Sequence, residues 1–427
     1  MAQNRELTEA MARLDALTDW ERRPRKFMRV GLAPMLDLGA RLGRPQQAFR
    51  SIHVGGTKGK GSVSALIEAA LVRAGLRVGR YASPHVENVT ERVSLQGRAV
   101  GEATLARALQ RALDAYEEAR AAGTVATEAT WFDCLTAAAF LVFRDAGVEW
   151  AVVEVGLGGR LDSTNVVDAE IAVVTNIGLE HTEILGKTRA LIASEKAGIL
   201  KPGAVLVTTL GPRDEAGRVL HARARALGAS VVQTRAGKSA TIEATNGAVA
   251  GAVLDELGEK SVLGRDGRRL SAALIDAGTR AAARLVGRME RVDMDLGASR
   301  LAVVFDGAHV PFNLAAVLSD LARFPDLAGP CIAVVALASD KDAAGFLGEL
   351  KARASAIVCT EAPASRGRPA AELAALAALL GFTSESEPEP ERAFRRGVEL
   401  AAEAKAWLLV TGSLYLVGAL RRMAGRR

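Results

Sequence analysis

The sequence predicts an α/β fold in two domains, the first built on a mostly parallel sheet. Three observations predict it. Short apolar runs of strand length alternate with longer stretches of helical periodicity, the pattern of a parallel sheet flanked by helices. One such run, Ser51 to Val54, passes through a glycine-rich loop into a helical pattern from Ser64 to Arg73, an order suited to holding an anion. The alternation then breaks over Val292 to Ser299 and starts again, which marks a second domain.

The loop reads His53-Val54-Gly55-Gly56-Thr57-Lys58-Gly59-Lys60-Gly61-Ser62. Glycines let backbone N–H groups turn toward an anion, the following helix adds the positive end of its dipole, and Lys60 can reach the outer phosphates of a nucleotide. Only eleven of the 55 Lys and Arg residues are Lys, so two inside one short loop stand out. The spacing departs from the GxxxxGK(S/T) form, because Gly55 lies too close to Gly59-Lys60 and Gly61 separates Lys60 from Ser62. Taken alone, the loop is either a nucleotide site or a plain glycine-rich turn.

Composition excludes several classes. With 427 residues and 49% hydrophobic content the chain can bury substantial cores, and with only 4% aromatics those cores must be built from Ala, Leu and Val. No apolar run approaches the ~18 residues of a membrane span. The segment Met1 to Leu17 is charged and patterned as an amphipathic helix rather than a secretory signal; the expectation is a soluble, cytoplasmic protein. Cys134, Cys331 and Cys359 are odd in number, far apart and in apolar contexts, which fits buried thiols and neither disulfides nor a zinc cluster. The net charge of +6 comes without a dense basic run interleaved with aromatics, apart from the terminal Arg421, Arg422, Arg426 and Arg427. No nucleic-acid or membrane partner is expected, and the excess suits attraction of small anions.

In chain order, residues 1–45 read as helices, followed by the loop. Arg77 to Tyr81 is a second strand, ending in Ala82-Ser83-Pro84-His85. Its hydroxyl and imidazole thus lie past a strand's carboxyl end, where open parallel sheets place ligands. Leu105 to Ala122 and Cys134 to Phe143 are helices, the latter introduced by Thr130-Trp131-Phe132. Trp150 to Val155 is a strand carrying Glu154, followed by Gly156-Leu157-Gly158-Gly159-Arg160-Leu161-Asp162; a carboxylate there is placed to hold Mg²⁺. Ile171 to Thr175 leads to Glu180-His181-Thr182, and His181 joins a set of strand ends bearing Lys60, Ser83 and Glu154. A helix through Leu191 to Leu200 carries Glu195-Lys196, which alone reads as a solvated pair. Periodicity weakens over 203–246, and Asn246 to Leu257 returns as a helix. In the second part, strands at Leu301 to Phe305, Ile332 to Leu337, Ile357 to Cys359 and Leu408 to Val410 lead to Asp306-Gly307-Ala308-His309, Asp340-Lys341-Asp342 and Thr411-Gly412-Ser413, while Thr383 to Arg392 reads as an exposed loop.

Together these pieces resemble the folylpolyglutamate synthase and dihydrofolate synthase family, a branch of the Mur-ligase-like, ATP-dependent amide-forming enzymes. The resemblance rests on HVGGTKGKGS at 53–62, SPH and ERV within 83–93, EVGLGGRLDSTNVV at 154–167, EHT at 180–182, SEKAGILKPG at 194–203, GRMERV at 287–292, DGAH at 306–309, DKD at 340–342 and TGSLYLV at 411–417. It implies an N-terminal P-loop ATPase domain over 1–290, a linker at 291–299 and a C-terminal Rossmann-like α/β domain over 300–427. It also implies ligation of L-glutamate to dihydropteroate or to the terminal glutamate of a folate. In that reaction ATP phosphorylates a carboxylate, and the amine of the incoming glutamate displaces phosphate. Such chemistry needs charge neutralisation and in-line positioning rather than a protein nucleophile.

Carried over residue by residue, the resemblance implies an ATP site at Gly56, Thr57, Lys58, Gly59, Lys60, Gly61 and Ser62, with Asn246, Arg288 and Asp306. It implies two Mg²⁺ positions served by Ser83, Glu154, His181 and Lys196, the last as a carbamate, which turns an amine into an oxygen donor and needs that amine neutral. Lys60, Lys196, His181 and Glu154 are then the catalytic set. Thr130, Trp131, Phe132 and Asp162 fall at the pterin side, where an aromatic ring could stack, and His309 and Ser413 are candidates for the glutamate. The chain departs from the family pattern at Lys58 (usually Asn), Glu180 (usually Asp), Val310-Pro311 (usually Asn-Pro) and Val286-Gly287-Arg288 (usually Pro-Gly-Arg), and its 233–246 segment is shorter than usual. Lys58 either adds charge near the phosphates or points to solvent. The family suggests a monomer. The alternatives are another Mur-like amino-acid ligase, with a different acceptor pocket, or an ATP-binding switch that makes no amide.

Overall fold

Contacts in the computed structural model divide the chain into two units, Met1–Arg284 and Leu285–Arg427. The structure describes residues 5–20, 31–235, 237, 240–297, 299–363 and 367–425. Parts of the expected N-terminal helices (1–4 and 21–30), parts of the 233–246 and 291–299 segments (236, 238–239 and 298), and Arg426 and Arg427 lie outside the described residues.

The first unit holds strands β1 (Arg50–Gly55), β2 (Val78–Tyr81), β3 (Val93–Leu95), β4 (Arg98–Ala99), β5 (Trp150–Glu154), β6 (Ala169–Val174), β7 (Val205–Thr208) and β8 (Ser230–Gln233), in the spatial order β4-β3-β2-β5-β1-β6-β7-β8. All pairings are parallel except the β2-β3-β4 meander. Its helices are α1 (Arg5–Asp15), α2 (Ala33–Arg41), α3 (Lys60–Arg73), α4 (Glu102–Ala122), α5 (Trp131–Asp145), α6 (Thr182–Leu185), α7 (Arg189–Ala197), α8 (Glu215–Ala226), α9 (Ile242–Glu259) and α10 (Ala277–Ala282). The central strands are buried on both faces, which is why β5 and β6 read as largely apolar runs, while β1 buries Ser51 and His53 among its apolar residues. One core cluster is dominated by Ala, Leu and Val, with Phe140, Phe143 and Trp131 among its larger members.

Three registers position the site. Tyr81 pairs with Val153, Val54 with Glu154 and Gly55 with Val174. The carboxyl ends of β2, β5, β1 and β6 are therefore level, and β1, flanked by β5 and β6, stands at the reversal of strand order where such sheets bind ligands. The weakly periodic 203–246 stretch contains β7, α8 and β8. Of these, β8 was not legible because it is an edge strand of partly exposed residues.

The second unit holds β9 (Glu290–Asp295), β10 (Arg300–Asp306), β11 (Cys331–Val335), β12 (Ala354–Cys359), β13 (Thr383–Ser386) and β14 (Trp407–Thr411), ordered β13-β12-β11-β14-β10-β9 and parallel except for β9. Helices α11 (Pro311–Leu321), α12 (Ala343–Leu350), α13 (Ala370–Leu379), α14 (Pro390–Glu403) and α15 (Leu414–Ala424) complete it. The stretch read as a linker supplies β9, an edge strand antiparallel to β10. The expected exposed loop over Thr383 to Arg392 is instead β13 and the start of α14. Pro390 occupies the first turn of α14, where a missing N–H costs nothing, and Glu389 caps it through the N–H groups of Glu391 and Arg392. All three cysteines are buried, and burial pushes the Cys331 and Cys359 thiols up to about 12. Among the described residues no helix is long and apolar enough to cross a membrane.

Candidate active site

The loop after β1 is shaped by its closeness to β6. A Cβ on Gly56 would stand 1.9 Å from Thr175 Oγ1, and Gly56 has φ +136°, so no side chain is tolerated there. The loop backbone is tied to the segment after β6. The N–H of Thr57 donates to Asn176 O at 2.9 Å, that of Lys58 to Asn176 Oδ1 at 2.9 Å, and Lys58 O accepts from Thr175 Oγ1 at 2.6 Å and Asn176 Nδ2 at 3.0 Å. Gly59 caps α3 in the left-handed conformation, without a side-chain cap on the helix. The first-turn N–H groups are thus not spent on a capping side chain, the arrangement that receives an anion.

Lys60 opens α3 and places its Nζ 4.0 Å from Glu154 Oε1, the two side chains being 18% and 5% exposed. Lys196, on α7, is buried and donates from Nζ to Gly158 O at 3.4 Å. Burial, reinforced by the Lys60 charge, lowers its ammonium to about 7 against partial opposition from Glu180 and Asp162. His181 begins α6 with φ 54°. Lys60, Glu180, His181 and Lys196 share the walls of one cleft with Gly156, Leu157 and Gly158. Ser83 lies two residues beyond Tyr81, the last residue of β2, which is the strand next to the one that ends in Glu154.

Among the described residues no three His, Cys, Asp or Glu side chains gather into a ready metal cage. A buried carboxylate beside a lysine, a nearby hydroxyl and an imidazole nevertheless fit Mg²⁺, which keeps much of its shell as water and phosphate oxygen and takes one or two carboxylates.

Asn246, on α9, is buried, and its Oδ1 would be 2.8 Å from a Cβ on Gly59. The structure therefore puts it against the loop. Lys58 does not point to solvent: its Nζ lies 3.0 Å from Glu180 Oε1, so two of the departures from the family pattern meet each other.

The aromatic positions divide. Trp131 is buried at 2% exposure, donates from Nε1 to Asp15 Oδ1 at 2.9 Å and lies under the Arg92 guanidinium at 4.8 Å. Phe132 is half-buried, and its ring would be 2.6 Å from a Cβ on Gly156, which places it behind the glycine wall of the cleft. Thr130 caps α5 in a reciprocal box with Asp133. Asp162 is buried and holds its loop closed, accepting from the N–H of Leu157 at 2.7 Å, the N–H of Thr164 at 3.1 Å and the Thr164 hydroxyl; burial pushes its carboxyl up against these donors.

Sequence reasoning missed His53 as a participant. Its Nε2 is 2.9 Å from Thr164 Oγ1, and because that hydroxyl donates to Asp162 it accepts here, making His53 the Nε2–H tautomer. Its place at the head of the glycine motif was the available signal. Arg92, which donates from Nε to His85 Nδ1 at 2.8 Å, was visible only as part of ERV.

In the second unit, Asp306 ends β10, buried, and accepts from the N–H of Met289 at 2.9 Å and of Ala308 at 2.8 Å. It thereby fixes the turn that carries the exposed Arg288. His309 Nδ1 is 2.9 Å from Gly307 O, and Ser413 caps α15 through the N–H of Tyr415. β10 and β14 are neighbours, with Asp306 opposite Thr411, so His309 and Ser413 follow adjacent strand ends.

Comparisons with known proteins point the same way. Residues 54–251 match the Mur ligase middle domain and residues 287–414 the Mur ligase glutamate ligase domain. The dihydrofolate synthase/folylpolyglutamate synthase of Mycobacterium tuberculosis is 30% identical over 456 residues, covering 92% of this chain and 89% of that protein. The Bacillus subtilis protein of the same description is 40% identical over 187 residues, 43% of this chain and 42% of its own length. Among solved structures, the Escherichia coli enzyme in complex with DHPP and ADP superposes with a TM-score of 0.80 at 28% identity over 98% of this chain and 97% of that one. The bifunctional folylpolyglutamate synthase/dihydrofolate synthase with Mn, AMPPNP and L-glutamate bound gives 0.78 at 29% identity over 98% of each.

Proposed function

The chain belongs to the dihydrofolate synthase/folylpolyglutamate synthase family of Mur ligases, and from that premise we infer that it joins L-glutamate to dihydropteroate, to the terminal glutamate of a folate, or to both, at the expense of ATP. The observation that carries the reading is the convergence of Lys60, His181 and Lys196 on one cleft, with Glu154 held 4.0 Å from Lys60, at the level carboxyl ends of the central strands.

The chemistry follows from what the groups can do. Backbone N–H groups of Gly59, Gly61 and Ser62 and the Lys60 ammonium neutralise phosphate charge as it moves between oxygens. A divalent cation bound with the nucleotide would offset phosphate charge. We assign Ser83, Glu154 and His181 to two cation positions, with Lys196 contributing as a carbamate, since a lysine held near neutral by burial has the free amine that carbon dioxide addition needs. Gly56, Thr57 and Asn246 shape the loop. In the second unit, Arg288 and Asp306 are assigned to the nucleotide, and His309 and Ser413 to glutamate. Phe132 serves the pterin side, with Thr130, Trp131 and Asp162 as the framework that sets it. The product of the first step is an acyl phosphate on the pteroate or folate carboxylate; the glutamate amine attacks its carbonyl carbon and phosphate leaves. We take the working unit to be the single chain.

The test is incubation with ATP, Mg²⁺ and L-glutamate, offering dihydropteroate in one reaction and tetrahydrofolate in another, with products read by mass. Gain of a glutamyl unit in both identifies a bifunctional enzyme, and gain in one assigns a single activity. Gain in neither, with nucleotide still bound, overturns the reading.

A further inference from the structure

The Lys58–Glu180 pair joins two segments 122 positions apart in sequence. Its side chains are 15% and 10% exposed at a separation of 3.0 Å. Lys58 belongs to the glycine loop, and Glu180 immediately precedes His181. Between these segments the backbone is already tied: Asn176 and Thr175 hold Lys58 and Thr57, and the N–H of Gly178 donates to Thr57 Oγ1 at 2.9 Å. The ion pair extends this series of ties two residues further along the chain.

What it reaches is a strained turn. His181 has φ 54°, a left-handed conformation that a residue with a Cβ adopts at a cost and keeps only where its surroundings hold it. On its far side, the His181 carbonyl accepts from the N–H groups of Ile184 and Leu185 at 3.0 and 2.9 Å, which anchors it to α6. On its near side, Glu180 is anchored to the glycine loop by Lys58. A mostly buried ion pair contributes little net stability, because desolvation offsets the attraction, but it fixes geometry.

We propose that Lys58 and Glu180 are positioning residues, a clasp that locks the turn bearing His181 to the glycine loop so that the imidazole and Lys60 are presented to the cleft as one rigid unit. Lys58 therefore acts through Glu180, and the lysines lining the cleft itself are Lys60 and Lys196. The proposal rests on the reading of His181 as a metal-facing group.

Two measurements on the full chain test it. The first is hydrogen exchange of the segment 178–185 without nucleotide or metal. The second is Mn²⁺ titration in the presence of ADP, followed by electron paramagnetic resonance. The proteins are wild type, Lys58→Met, Glu180→Gln, the double variant, Lys58→Arg, the reversed pair Lys58→Glu with Glu180→Lys, and His181→Ala, each with its thermal midpoint. The clasp predicts that either single variant speeds exchange in 178–185 and weakens Mn²⁺ binding about tenfold. The double variant should be no worse than the poorer single one, and Lys58→Arg and the reversed pair should recover most of the loss. Unchanged exchange, additive single effects, or loss of ADP affinity in Lys58→Met but not in Glu180→Gln would overturn it, the last by assigning Lys58 to the phosphates directly. If His181→Ala binds Mn²⁺ like wild type, the metal reading fails, and the exchange data alone decide the clasp.

Discussion

Lys60 Nζ stands 4.0 Å from Glu154 Oε1, and neither side chain is more than 18% exposed. Removing one of two buried opposite charges leaves the other uncompensated. Glu154→Gln keeps the shape and deletes the charge, so we expect kcat to fall on the order of 10²–10³-fold, the usual effect of losing a preorganised electrostatic group, with Mn²⁺ affinity falling alongside. Lys60→Arg should fail as well, since a planar fork does not replace a compact ammonium. Steady-state kinetics with circular dichroism as a folding control checks both. A Glu154→Gln enzyme with wild-type kcat would remove Glu154 from the catalytic set.

Gly59 carries two constraints at once. Its φ is +83°, and a Cβ there would meet Asn246 Oδ1 at 2.8 Å. Gly59→Ala should therefore cost about 1–3 kcal/mol from backbone strain and displace Asn246. In combination with Asn246→Ala the steric part should be relieved and the strain retained. Chemical denaturation of the two single variants and the double variant gives the coupling; a zero coupling energy would show that the two side chains do not compete for that space.

His53 supplies a pH dependence. It is fully buried, and burial, with a smaller contribution from the Lys201 charge, lowers its imidazole to about 3. The unfolded chain, with His53 near its ordinary value of about 6.5, binds more protons than the folded one between those limits. Stability from this residue is thus fully present above about 6.5 and is lost as pH falls toward 3, at up to about 1.4 kcal/mol per pH unit. His53→Gln should flatten that acid slope in denaturation measured across the window. An unchanged slope would mean that other groups govern acid sensitivity.

The parts of the molecule that were legible in the sequence, and the parts that were not, differ for physical reasons. β5 could be read because a strand buried on both faces is largely apolar, and β1 with its glycine loop could be read because Gly56 and Gly59 occupy conformations other residues avoid. β9 could not, because an edge strand with Glu290, Arg291, Asp293 and Asp295 beside Val292 and Met294 resembles a polar connection; β13 failed in the same way. The candidate site was legible where polar residues follow or end a buried strand, as at Lys60, Glu154 and His181. It was not legible where a role depends on partners distant in sequence. Nothing near Trp131 announces Asp15 or Arg92, and nothing near Lys58 announces Glu180.

The two neighbouring aromatics should separate in kinetics. Trp131 is held by Asp15 and covered by Arg92, so Trp131→Phe loses a part-buried hydrogen bond, worth about 1 kcal/mol with the exposed Asp15 left to water, and should lower the thermal midpoint. Phe132 is half-buried against Gly156, with its ring 5.9 Å from that of Tyr81, and it carries the pterin-side proposal. Phe132→Ala should raise KM for the pteroate or folate substrate about tenfold, roughly the 1.4 kcal/mol of one aromatic contact, while KM for ATP stays within twofold or so. Which KM moves separates the two roles. A ring that only fills space would, on removal, loosen the glycine wall shared with the phosphate side and raise both constants together, whereas a ring that meets the substrate moves one of them. Equal changes in the two would return Phe132 to the framework with Trp131.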